Sequence, residues 1–178
     1  MVRALIVALA AVLVQQPVQA QERVLRSEIV IRSTVDKAWN AITTVEGLKA
    51  WSVRDAVIEM KTMGKYHSHY AGKVGDVGTV TNTVLSFVPK RMISLKIGFP
   101  DNFMVPDEKG QRVPVPEVVK AGTIFAVEEF EDIGNGQIRV SVTLVGFQSG
   151  REWDLAYGFF EKGNPSQLVS LKKYLESN

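Results

Sequence analysis

The feature that most constrains this chain is its last apolar-periodic stretch, Gly150 to Leu175. Trp153, Tyr157, Phe160, Leu168, Leu171 and Leu175 recur at three- and four-residue steps, with a gap at Asn164. Residues so spaced share one face of an α-helix of about 25 residues. A helix this long needs a broad apolar surface to lie on. The strand-rich chain before it supplies one as a curved antiparallel sheet. The stripe is aromatic in its first half and leucine in its second, so the aromatic end reads either as plain core or as the wall of a cavity. Gly163-Asn164-Pro165 interrupts it, because proline lacks the backbone donor and crowds the preceding turn. A kink or a one-residue break is expected there.

The N-terminus has a different character. Arg3 is followed by an apolar run from Ala4 to Val14, then a polar segment with Pro17 and small residues at Val18-Gln19-Ala20. A run of about 11 apolar residues is too short to span a bilayer and reads as a secretory signal cut after Ala20. Residues 1–20 are therefore expected to be a signal peptide and 21–178 a single domain, secreted or periplasmic. The chain has no cysteine, which excludes a thiol nucleophile and thiolate metal sites. Without Arg3 the formal charge of +2 falls to +1. No basic run is present, so there is no electrostatic case for nucleic acid. No second apolar run is long enough for a membrane span.

Read in order, Val24 to Arg32 alternates as a strand. Ser33 and Asp36 have capping-box spacing ahead of a short helix with Val35, Ala38, Trp39 and Ile42. Thr43 and Glu46 repeat it before a second short helix that Gly47 closes, with Leu48 and Trp51 apolar. Strands follow over 55–60, 65–70, 79–88, 91–97, 122–131 and 137–147. Gly72, Gly75 and Gly78 dot one connection, and Pro89-Lys90 makes a hairpin turn. In the last strand Ile138, Val140, Val142 and Leu144 face one way and Arg139, Ser141 and Thr143 the other, so the sheet has one dry face. Residues 99–121 carry four prolines and read as a long loop, either a surface insertion or the cover of a pocket mouth. The fold class is α+β. A curved antiparallel sheet of about six or seven strands wraps a long C-terminal helix, with two short helices after the first strand.

These residues resemble a known family. Ile31-Arg32-Ser33-Thr34-Val35-Asp36-Lys37-Ala38-Trp39, Thr44 to Leu48, Trp51, Val88-Pro89-Lys90-Arg91-Met92-Ile93, and Gly146 to Phe160 with Glu152-Trp153-Asp154 fall in the order seen in the START-like SRPBCC superfamily. Within it the chain looks most like the group named after the heat-shock chaperone ATPase activator, also labelled polyketide-cyclase-like. The resemblance implies a helix-grip fold with a hydrophobic cavity between sheet and C-terminal helix. Members of the superfamily bind lipids, hormones or polyketides, catalyse reactions, or assist a chaperone. An export signal argues against a cytosolic chaperone partner.

Three functions follow as expectations. The first is an exported protein that binds a small hydrophobic or amphipathic molecule, lipid- or polyketide-like, with no cofactor and no metal. Its cavity would be lined by Trp51, Tyr70, Phe103, Trp153, Tyr157 and Phe160, with Tyr157 or Arg91 orienting a polar end. The second is a cyclase, dehydratase or hydrolase using the same cavity with a His or carboxylate as acid/base. Glu129, His67 or His69 facing the cavity would favour it. The third is an envelope stress or chaperone-like interaction protein with an exposed apolar patch. His67 and His69 share one strand face, but no third metal ligand is indicated, and solvent exposure is the default. Alternation puts Glu129 and Glu131 on one face and Glu128 on the other, so at most one set reaches a cavity. Glu152 and Asp154 suit the positive end of the helix.

Overall fold

The computed structural model describes residues 23–177; the expected signal segment and its cleavage site lie outside them. Seven antiparallel strands form one sheet in the order β1-β9-β8-β5-β4-β3-β2. They are β1 (Arg23–Arg32), β2 (Asp55–Ile58), β3 (Lys65–His69), β4 (Val80–Val88), β5 (Met92–Lys96), β8 (Phe125–Gly134) and β9 (Gln137–Phe147). Helices α1 (Val35–Thr43), α2 (Val45–Trp51) and α4 (Arg151–Ser177) accompany them, and a small β6–β7 hairpin (Met104–Pro106, Arg112–Pro114) precedes α3 (Glu117–Ala121). The buried apolar residues come from alternate strand positions and from α1, α2, α3 and α4, as in Ile31, Val84, Ile93, Leu95, Ile138, Leu144, Leu168 and Leu171.

The short helices begin one residue later than the capping-box spacing suggests. Thr34, not Ser33, caps α1, its side chain accepting from the Lys37 amide. Thr44 caps α2 by accepting from Gly47 N at 3.0 Å. Gly47 therefore lies inside α2 and does not end it. A Cβ there would sit 2.1 Å from the Asn40 carbonyl, so its lack of a side chain lets α2 fold back tightly on α1. Ser33 Oγ is left buried with no partner among the described residues.

Two further expectations change. The one-residue break does not occur: the long helix is continuous from Arg151 to Ser177 with Pro165 inside it, which leaves the kink as the remaining expectation for that turn. Pro165 lies on the exposed side, where water can satisfy the carbonyl it leaves free. Residues 99–121 are not a structureless loop. The β6–β7 hairpin and α3 bury Val105, Val115 and Val119 almost completely, so the insertion joins the main core. Pro106 and Pro114 end their strands, Pro116 caps α3, and Pro100 opens a turn as the acceptor of the Phe103 amide, positions that require no backbone donor.

Candidate functional site

The concave face of the sheet and α4 do not meet everywhere. Between them lies an inner compartment of about 190 Å³. Ile42 and Leu48 close one end, Leu95, Ala126 and Leu144 form the floor, and Leu168 and Leu171 of α4 form the roof. An outer compartment of about 370 Å³ adjoins it. Tyr70, Val80, Asn82, Ile97, Phe160 and Gln167 line both, and so form the neck between them. The inner space alone is below the usual 300–1,000 Å³ of ligand pockets, and the outer one brings the pair into that range.

Strand alternation decides what faces inward. In β8 Ala126 and Glu128 point to the cavity, while Glu129 turns outward to Arg26 at 3.1 Å. In β3 Tyr66 and Ser68 are buried and His67 and His69 lie on the other face. Neither Glu129 nor either histidine therefore reaches the cavity; the inward acid is Glu128. Glu128 has no hydrogen-bond or salt-bridge partner among the described residues, and burial pushes its carboxyl up to about 7. Among the described residues lining the inner compartment it is the sole carboxylate, and no lysine or arginine is present. The other polar lining residues are neutral, Tyr66 and Asn164 among them. Tyr66 donates its hydroxyl proton to the Ile42 carbonyl at 2.8 Å, and burial, with Glu128 as the second cause, holds that proton well above the ordinary phenol range. Asn164, on α4, has a buried Nδ2 with no partner among the described residues.

Of the residues expected to line a cavity, Trp51, Tyr70 and Phe160 line the inner compartment. Trp51 is pinned by its indole N–H, which donates to the Ala41 carbonyl at 3.0 Å. Phe103 lines the outer compartment, edge-on to Phe159 at 5.2 Å. Three lie elsewhere. Trp153 is core, 3% exposed and packed over Gly122. Tyr157 stands edge-on to Phe147 at 5.2 Å with the Arg23 guanidinium 4.1 Å from its ring centre. Both share a helix stripe with Phe160, but α4 is longer than the cavity, and its first two turns rest on β9 and the folded insertion. Arg91 lines a separate surface cleft with Arg26, Glu129, Glu131 and Arg139. Sequence reasoning missed the role of Glu128, although alternation in β8 had already separated it from Glu129.

His69 organises the rim. Its Nδ1 accepts from the amides of Ala71 and Gly72 at 3.1 and 2.7 Å, so Nε2 carries the proton and donates to the Val77 carbonyl at 3.0 Å. The glycine-dotted connection is thus built on one imidazole and leads into Val80 at the neck.

A seven-stranded antiparallel sheet gripping a long C-terminal helix, with a cavity between, defines a START-like protein of the SRPBCC superfamily. The family model described as "Activator of Hsp90 ATPase homolog 1-like protein" matches residues 32–176, and the chain belongs to that family. No curated protein matches the chain. Among solved structures, protein MLL2253 from Mesorhizobium loti is similar at a TM-score of 0.65 and 16% identity, over 88% of this chain and 98% of that one. The Aha1 dimer from Colwellia psychrerythraea is similar at 0.62 and 19%, over 86% and 96%. PFC0360w, an HSP90 activator from Plasmodium falciparum, is similar at 0.58 and 13%, over 86% and 94%. At such identities the likeness speaks for the fold alone.

Proposed function

We propose that the protein is an exported binder of a small amphipathic molecule, held between the sheet and α4. The observation that carries this reading is a two-compartment cavity with apolar walls and unpartnered polar groups, Glu128 and Asn164, in its lining. Burying an apolar ligand body gains roughly 25 cal/mol per Å² before ordering costs. The polar groups then fix orientation, because each is left short of a partner until a ligand supplies one. Export is supported by the charge and hydropathy pattern of residues 1–20.

Native mass spectrometry of protein purified gently from the producing cells tests both elements. A mass excess released by solvent extraction, on a chain starting at Gln21, supports the reading. A bare chain that also leaves the Trp51 and Phe160 resonances unmoved by any apolar probe would overturn ligand binding. A chain that retains residues 1–20 and stays inside the cell would overturn export.

A second reading is favoured by Glu128 itself. A cavity carboxyl poised near pH 7 is suited to take or give a proton from a bound substrate. Turnover of any bound molecule with a pH profile that breaks near 7, and its loss in Glu128→Gln, would favour the enzyme over the carrier.

A further inference from the structure

We infer that the cavity is built for a compact amphiphile carrying one protonated nitrogen, which enters nitrogen-first and faces Glu128. This rests on the small-molecule reading above and names the ligand class that the same cavity takes. The polar groups deep in the cavity are unevenly matched. Glu128 brings a carboxyl with no partner and no countercharge among the lining residues described. The Tyr66 hydroxyl has already given its proton to Ile42, so it presents lone pairs to the cavity. The Asn82 Oδ1 is taken by the Gly98 amide at 3.0 Å, and the remaining polar lining groups, on Ser52, Ser68, Tyr70, Asn164 and Gln167, are uncharged. Tyr70, whose phenol is pushed up by burial and then by Glu128, is the other titratable group that feels Glu128. The lining cation lies further out: Arg112 borders the outer compartment, and its guanidinium donates to the Met104 carbonyl at 3.4 Å.

This arrangement sorts ligands by charge. A carboxylate or phosphate brought against Glu128 meets a like charge in a poorly solvated place with no cation to offset it. A neutral head group can donate a hydrogen bond but leaves an ionised Glu128 without a countercharge. An ammonium supplies both the countercharge and the donors that Glu128 and Tyr66 can accept, which makes the strong, charge-assisted kind of hydrogen bond. The apolar tail then lies along Ile97 and Phe160, through the neck into the aromatic outer compartment. Because the carboxyl is poised near 7, binding an ammonium at neutral pH draws it to the ionised form and releases part of a proton.

Calorimetric titration of the whole domain with n-octylamine, octan-1-ol and octanoate at pH 7.5 tests the inference. The expected result is that octylamine binds about tenfold tighter than octanol, and octanoate about tenfold weaker. In Glu128→Gln the amine should lose its advantage, so that amine and alcohol bind alike. In the unaltered protein the amine preference should shrink as pH falls from 8 to 5.5, and heats in two buffers of different protonation enthalpy should show proton release. Octanoate binding as tightly as octylamine, or an amine preference that persists in Glu128→Gln, overturns the inference while octanol binding upholds the cavity. If none of the three probes binds, the small-molecule reading itself fails.

Discussion

Trp153 occupies the space that a side chain on Gly122 would need: a Cβ there would stand 2.4 Å from the ring carbon Cη2. Gly122 has an ordinary φ of −73°, so the requirement for glycine is steric and not conformational. The contact joins the folded insertion to the start of α4. Gly122→Ala should destabilise the domain by about 1–3 kcal/mol through overpacking, and Trp153→Ala by about 3–5 kcal/mol through the void it leaves. Neither should change ligand affinity at saturating folded protein, because neither residue lines the cavity. Urea melts paired with probe binding check both; a selective loss of binding in Trp153→Ala would place the ring at the site after all.

Glu128 should make stability fall with pH. Its folded pKa is raised from the ordinary 4.5 to about 7, so the folded state holds its proton where the unfolded chain has lost it. The penalty is absent below pH 4.5, grows through the window from 4.5 to 7, and is complete above it, at about 3 kcal/mol. The stability difference between Glu128→Gln and the unaltered protein should therefore rise by about that amount from pH 4 to pH 8. A flat difference across that range would show that the carboxyl is solvated and titrates normally.

Tyr66 ties the end of α1 to the sheet through its hydroxyl. Tyr66→Phe leaves the Ile42 carbonyl without that donor and should cost about 1 kcal/mol. The ring still fills its place, so the cavity keeps its shape. Equal melting temperatures for the two proteins would mean that water replaces the phenol.

His69 should control local order at the rim without controlling global stability. His69→Ala removes the acceptor for two amides and the donor to Val77. Amide hydrogen exchange at Ala71 and Gly72 should speed up by about tenfold, corresponding to roughly 1–2 kcal/mol of local stability, while exchange in β8 and β9 stays unchanged. Unchanged rates at residues 71 and 72 would mean that the turn forms without the imidazole.

Much of the architecture was legible because it depends on local period. Alternation in β9 and the three- and four-residue steps of α4 follow from backbone geometry alone, and each survives in the structure. Where local chemistry had two solutions, tertiary contact chose between them. Pro165 was compatible with a break, but the buried residues before it, Trp153 and Ala156, and after it, Leu168 and Leu171, anchor α4 as one helix. The four prolines of 99–121 were compatible with an open loop, but Val105, Val115 and Val119 draw that segment into the core.

The site divides in the same way. By itself the sequence determined the strands, the long amphipathic helix, and the fact that Glu128 and Glu129 must face opposite sides of β8, because side chains in a strand alternate. It contained nothing to say which of those sides the helix would cover. Nor could it say where along α4 the sheet pulls away, since Trp153, Tyr157 and Phe160 lie on one stripe and differ only in position along the helix axis. The curvature of seven strands and the packing of the insertion against the first turns of α4 made those choices. They put Trp153 in the core, Tyr157 against Phe147, and Phe160 at the neck of a cavity whose one lining carboxylate, among the described residues, is Glu128.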